Sequence, residues 1–304
     1  MRKIVCCAFA VMLFGGSCVQ VEGPSGGGLG GIWKISPTYK DVKYGPHDRN
    51  TLNFWQVRSD SPTGLIVVIH GGGWIRGQKT ETISRKMLSA GVSYCTIDYR
   101  LSPADRLPAQ VKDAARAIQF LRSKAKQWNI DPERIVAEGG SAGAASSLWL
   151  AYHDDLADPK SDDPVARQSS RIAGAVAVAG QSTLDPFVLT ARIGPAAAEH
   201  PMIWRTLGAK SLDDLMKNWA KYKALSIECS PITHVTKDDP PVYLKYNIGP
   251  RPPVIDGDGI HHEQFGMMLK EKCDRVGVEC TLQIAEGQAP AFTSEEFLKR
   301  ILAK

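Results

Sequence analysis

Short apolar runs alternate with helix-period stretches along most of this chain. Runs at 65–69, 92–97, 135–137, 172–179, 242–246 and 281–285 are bounded by Gly, Pro or polar residues. Runs of that length read as strands buried on both faces of a parallel sheet. Two alternating segments, 42–44 and 52–57, precede them as an antiparallel opening. The clearest helix spans 108–128, where Val111, Ala115, Ile118, Leu121, Ala125 and Trp128 recur every three or four residues and Pro108 sits near the first turn. Strands alternating with helices predict an α/β fold with a mostly parallel central sheet and helices on both faces.

This beat breaks between 181 and 236, a stretch carrying Pro186, Pro195, Pro201, Trp204 and Trp219. So long a connection normally builds helices of its own and serves a site. The expectation is a helical lid over the carboxyl edge of the sheet; a small second domain is the alternative.

At the amino end, residues 1–18 run from Arg2 and Lys3 through apolar 4–14 to Gly15, Gly16, Ser17 and Cys18. A basic start, an apolar core too short to span a membrane permanently and small residues before a cut make a secretory signal. The chain is therefore expected to be exported, periplasmic or extracellular. Gly16-Ser17-Cys18 loosely resembles a lipobox, so a lipid on Cys18 is the one membrane contact considered. Residues 19–32, with glycines from Gly26 to Gly31, form a tether, and 33–304 form one domain.

Composition agrees with a packed fold, since 43% hydrophobic residues over 304 positions can bury a large core. The formal charge of +5 drops to +3 once Arg2 and Lys3 are set aside, and the remaining charges are interspersed, which gives nucleic acid no footprint. Outside the leader lie Cys95, Cys229, Cys273 and Cys280. Export permits disulfides, and Cys273 could meet Cys280 across a helix-to-strand turn, whereas Cys95 in an apolar strand reads as a buried thiol. No CxxC or His-x-x-x-His spacing marks a metal site.

The chemistry concentrates at two glycine-rich turns. Gly139-Gly140-Ser141-Ala142-Gly143 follows the run 135–137 and precedes the helix-compatible 144–152. In that context a strained strand-to-helix turn lifts a serine hydroxyl above the sheet edge. His70-Gly71-Gly72-Gly73-Trp74 ends the run 65–69. Its glycines leave the N–H groups of Gly71 and Gly72 unhindered, to be pooled with that of Ala142 as an oxyanion hole. His70 reads as a group that orients this loop.

These two motifs, with Asp98-Tyr99-Arg100-Leu101, Leu107-Pro108 and Asp131-Pro132-Glu133-Arg134-Ile135, resemble the hormone-sensitive-lipase-like carboxylesterases, including feruloyl and acetyl-xylan esterase types of the BD-FAE kind. The resemblance is strong over 42–179 and implies an α/β-hydrolase fold. It further implies hydrolysis of a small acyl ester, carbohydrate-linked in some relatives, through a covalent acyl-serine on Ser141 and without a cofactor.

The same resemblance implies an acid after the strand 242–246 and a histidine after the last strand. Asp256 and Asp258 stand ahead of the helix 263–276, with Asp258 the first choice. Where the family reads Gly-x-x-His-x-Phe, this chain has Gly287-Gln288-Ala289-Pro290-Ala291-Phe292, and no histidine follows His262. An unassisted serine hydroxyl is a weak nucleophile. Two readings stay open: His261 or His262 serves Ser141 from the acid's loop, with Glu286 orienting it, or the cleft of a non-catalytic binding protein survives.

Overall fold

The computed structural model describes residues 33–285 and 290–303. The leader, the tether, Cys18 and Glu286 therefore lie outside the described residues. Strands and helices alternate as the apolar runs predict. In chain order the strands are β1 (Trp33–Lys34), β2 (Tyr39–Lys43), β3 (Thr51–Trp55), β4 (Thr63–Ile69), β5 (Thr82–Ile83), β6 (Ser93–Ile97), β7 (Ile130–Gly140), β8 (Gly174–Val178), β9 (Val242–Tyr246) and β10 (Cys280–Ile284). Eight of them form one sheet in the order β10-β9-β8-β7-β4-β6-β3-β2. Every pair from β10 to β6 is parallel; β3 runs antiparallel to both β6 and β2.

That order explains where a site can form. After β4 the chain moves to β6 on one side, then returns to lay β7 on the other, so the connections leaving β4 and β7 diverge above the sheet. A crevice opens at such a switch point, outside the carboxyl ends of the strands. Gly71 follows β4 and Ser141 follows β7, so both predicted motifs face this crevice.

Period-2 alternation divides the sheet between two cores. Val67, Ala137 and Ala177 face α2 (Ala109–Ser123) and α3 (Ala142–Tyr152), while Ile66, Val136 and Val176 face α10 (Ser294–Leu302). Leu65, Val67 and Ile69 are fully buried, each contributing roughly 1.5–3 kcal/mol of transfer free energy. All eleven residues of α3 are buried, so the helix behind Ser141 is held on every side.

The first helix, α1 (Arg85–Ser89), is a single turn. Helix α2 stops earlier than its apolar period suggests. Ser123 Oγ–H donates back to the Phe120 carbonyl at 2.6 Å, and the chain then turns to bring Trp128 onto Tyr39 and Phe54, with ring centroids 4.9 and 4.6 Å apart. Trp128 obeys the helical period but is placed by a turn. The pair β1 and β5, two residues each, is too short for any periodicity to reveal.

Between β8 and β9 the chain builds α4 (Pro186–Arg192), α5 (Pro195–Glu199), α6 (Pro201–Arg205), α7 (Leu212–Lys217), α8 (Trp219–Glu228) and a 3-10 turn, Pro231–Thr233. Prolines open α4, α5 and α6 because the first helical turn needs no N–H there. After β9 a loop leads to α9 (Gln264–Val276). The four cysteines of the described residues are free and buried, so the disulfide that export would permit between Cys273 and Cys280 is not formed.

Candidate active site

Ser141 sits where β7 turns into α3, with φ 54° and ψ −123°, a conformation that costs a non-glycine residue about 1–3 kcal/mol. Two glycines make the turn possible. A Cβ on Gly139 would lie 2.4 Å from the Gly143 carbonyl carbon, and one on Gly143 would lie 2.0 Å from the Ile69 oxygen. The turn is also tied to its neighbour strand, since Ser141 N–H donates to the Val178 carbonyl at 2.9 Å. The hydroxyl is thus fixed at the positive end of α3, where developing negative charge is favoured.

The glycine loop after β4 closes against this turn. A Cβ on Gly71 would come within 2.8 Å of the Gly140 oxygen and 3.5 Å of Ser141 Cβ, which places the Gly71 backbone beside the serine. Gly72 has φ 104°, open to glycine alone. Ala142 N–H heads α3 and has no acceptor within the helix. The backbone of Gly71 and the head of α3 at Ala142 thus border the serine from two elements.

His70 holds the loop's shape. Its Nδ1–H donates to the Gly71 carbonyl at 2.7 Å, its ring stacks on Tyr99 at 4.1 Å, and Tyr99 O–H donates to the His70 carbonyl at 2.7 Å. Burial pushes the His70 pKa down, so the ring is neutral at neutral pH.

Of the histidines named from sequence, the structure brings His261 to the serine. His261 Nε2 lies 2.9 Å from Ser141 Oγ, and its Nδ1 lies 2.9 and 2.7 Å from the two carboxylate oxygens of Asp258. A carboxylate only accepts, so Nδ1 carries the hydrogen and Nε2 presents its lone pair to the serine hydroxyl. The carboxylate against Nδ1 is Asp258, three residues away on the same loop, while Glu286 lies outside the described residues. Asp256 is exposed and bonds none of these groups.

His262 points the other way. It is buried, its Nε2–H donates to the Pro250 carbonyl at 2.8 Å, and its Nδ1 accepts Gln264 N–H at 3.1 Å. It braces the loop that presents His261.

Other contacts set this loop's path. Val254 N–H donates to the Ile193 carbonyl at 2.7 Å and Ala196 N–H to the Val254 carbonyl at 3.2 Å, while Gln181 Nε2 donates to the Ile260 carbonyl at 2.7 Å. Gly194, at φ 135°, and Gly259 permit the approach: a Cβ on the first would lie 2.3 Å from Val254 N, and one on the second 2.7 Å from Ala197 N. Sequence reasoning missed Gln181, Gly194 and Gly259, because a tight approach between two loops has no period.

It also missed His200. This residue caps α6 through Nδ1, and burial first, then the charge of His261, push its pKa down. A neutral imidazole therefore stands near the site on the helical insertion.

On the face of the sheet opposite α3, a cavity of about 320 Å³ lies under the turn, lined by Val68, Glu138, Gly140 and Val178 among others. Glu138 accepts no hydrogen bond among the described residues, and burial pushes its carboxyl pKa up. Such a group favours folding when protonated. Stability is fully present below the unfolded carboxyl pKa of about 4.3 and is lost as pH rises through the higher folded value. Glu138→Gln should therefore raise the thermal midpoint at pH 7 by on the order of 2 °C, with the difference vanishing near pH 4. Parallel melts across that range check it; a constant offset contradicts it.

Comparison with known proteins places this geometry in a family. The BD-FAE family matches residues 54–247, which include the glycine loop and Ser141 but end before Asp258 and His261. Among relatives, the probable carboxylic ester hydrolase LipM of Mycobacterium tuberculosis is 25% identical over 73% of this chain and 52% of its own length. Esterase LipQ of the same organism is 26% identical over 71% and 49%. The chain spans about half the length of these relatives. Solved structures share the fold: Est2, an esterase of Thermogutta terrifontis, superposes with a TM-score of 0.63 at 21% identity, covering 86% of this chain and 92% of that one. A carbohydrate esterase from gut microbiota gives 0.65 at 22%, covering 81% and 86%. With the family match spanning well over half the chain and an α/β-hydrolase sheet carrying its two glycine turns at the switch point, this protein belongs to the BD-FAE family.

Proposed function

We propose that this protein is an exported serine esterase that cleaves small acyl esters, with Ser141 as nucleophile, His261 as general base and Asp258 orienting the imidazole. The observation that carries this reading is the continuous relay from Asp258 through His261 to Ser141, each link within 2.9 Å. Ser141 Oγ attacks the acyl carbon as its proton passes to His261 Nε2, and the carbonyl electrons settle on oxygen facing the N–H groups of Gly71, Gly72 and Ala142. Collapse expels the alcohol, which takes the proton from His261. Water then repeats the sequence and frees the carboxylic acid. No cofactor enters these steps.

The helical insertion at 181–236 acts as the lid of this site in our reading, supported by its backbone contacts to the loop of His261. A small acyl group is supported by Est2, captured with butyrate and with propionate bound. A carbohydrate-linked ester is supported by the gut carbohydrate esterase and by a bifunctional acetyl ester-xyloside hydrolase of Caldicellulosiruptor lactoaceticus. Export rests on the signal character of residues 1–18, with Cys18 as the lipid-anchor position.

The test is turnover of p-nitrophenyl acetate and butyrate together with labelling by diethyl p-nitrophenyl phosphate. Turnover, and one diethylphosphoryl group per chain on Ser141 by peptide mass spectrometry, are expected. Background turnover with an unlabelled Ser141 makes the protein a non-catalytic binder on an esterase frame.

A further inference from the structure

We infer that His153, Glu228 and His234 bind a divalent transition-metal ion, Zn²⁺ by the character of the donors, which fastens the helical insertion to the helix behind Ser141. One ring nitrogen from each histidine and one carboxylate oxygen lie within 4.8 Å of one another, and all three residues are half-buried. His153 caps the carboxyl end of α3, Glu228 ends α8, and His234 follows the 3-10 turn.

The remaining ring nitrogens are already occupied in the way metal-binding histidines require. His153 Nδ1 lies 2.9 Å from the Asp154 carbonyl and His234 Nε2 lies 2.8 Å from the Glu228 carbonyl. A carbonyl only accepts, so each of these nitrogens carries hydrogen, and the lone pairs fall on His153 Nε2 and His234 Nδ1. A backbone acceptor on the far nitrogen fixes both tautomer and ring orientation for a metal. His153 Nε2 is 3.2 Å from Glu228 Oε1, so two of the donor atoms already face one another. Trp149 walls one side, stacking on His153 at 4.1 Å and donating Nε1–H to the Glu228 carbonyl at 2.8 Å.

Two imidazoles and one carboxylate suit zinc, whereas magnesium and calcium prefer all-oxygen sets. In a tetrahedral zinc site with bonds of about 2.0–2.1 Å the donors stand about 3.3 Å apart, so modest side-chain rotation closes the cluster and leaves a fourth position to water. These residues take no part in the proposed relay. They are dispersed in sequence, which is why no ligand spacing announces them. The ion would close the long excursion between α3 and β9 at its two ends, removing freedom from the unfolded chain.

The full chain, stripped with EDTA and dialysed, would be titrated with Zn²⁺ by calorimetry and by tryptophan fluorescence, with Trp149 as reporter. One zinc per chain is expected, and the thermal midpoint should rise by roughly 5 °C at a hundredfold excess over Kd. Millimolar Mg²⁺ or Ca²⁺ should do neither. Glu228→Gln and His234→Asn, each with a metal-free midpoint near that of wild type, should lower zinc affinity at least about tenfold. Absence of zinc uptake by the wild type overturns the inference. So does undiminished affinity in both variants, which would place the ion elsewhere.

Discussion

His261→Ala should lower kcat for p-nitrophenyl acetate by on the order of 10⁶, the loss that follows removal of the base in a serine hydrolase. The adjacent His262→Ala should behave differently in kind. His262 is buried against the Pro250 carbonyl and the Gln264 N–H, so its removal leaves two loop groups unpaired and lowers the thermal midpoint, with a loss of turnover near tenfold. The pair of variants separates proton transfer from loop bracing. Equal losses in both, or a His261→Ala enzyme within tenfold of wild type, would remove His261 from the mechanism. Among the described residues, the imidazole that hydrogen-bonds the Ser141 hydroxyl is that of His261.

Asp258→Asn should reduce kcat by roughly 10³–10⁴, with KM little changed. Two effects compete in setting that figure. The neutral amide reverses the tautomer preference of His261, because an Asn side chain can donate to Nδ1 and so move the hydrogen to Nε2, where the serine needs a lone pair. Against this, the Asp258 side chain is 63% exposed, so its charge is screened and water can substitute for part of its role. We expect the lower end of the range for that reason. Asp256→Asn, on the same loop but bonded to none of the three groups, is the control and should stay within twofold of wild type. A loss shared equally by both aspartates would mean that loop charge, rather than the contact to His261, governs the rate.

Much of the frame is legible because it is written in local terms. Apolar runs of five to eight residues mark β4, β6, β8, β9 and β10 to within a residue or two, and Gly139, Ser141 and Gly143 mark the turn, since their small size answers contacts with the immediately adjoining strand and helix. The base is legible only as a choice between neighbours. His261 and His262 share one chemistry and one sequence neighbourhood; what divides them is the loop's path, set by Ile193, Ala196 and Gln181 from a different part of the chain. The orienting carboxylate is legible by position, since Asp258 stands where the resemblance asks for an acid; that it serves a histidine only three residues further on depends on the turn that lays Nδ1 over it.

The backbone bonds between Val254 and the segment Ile193 to Ala196 have a consequence for timing. The helical insertion, the lid in our reading, and the loop that carries the imidazole are bonded to one another as well as, through Gln181, to the end of β8. Any movement of α5 that widened the entrance would draw Val254 with it and tilt His261 off the serine. An open cleft would then be an idle one, and the hydroxyl would be activated only while the entrance is shut around its guest.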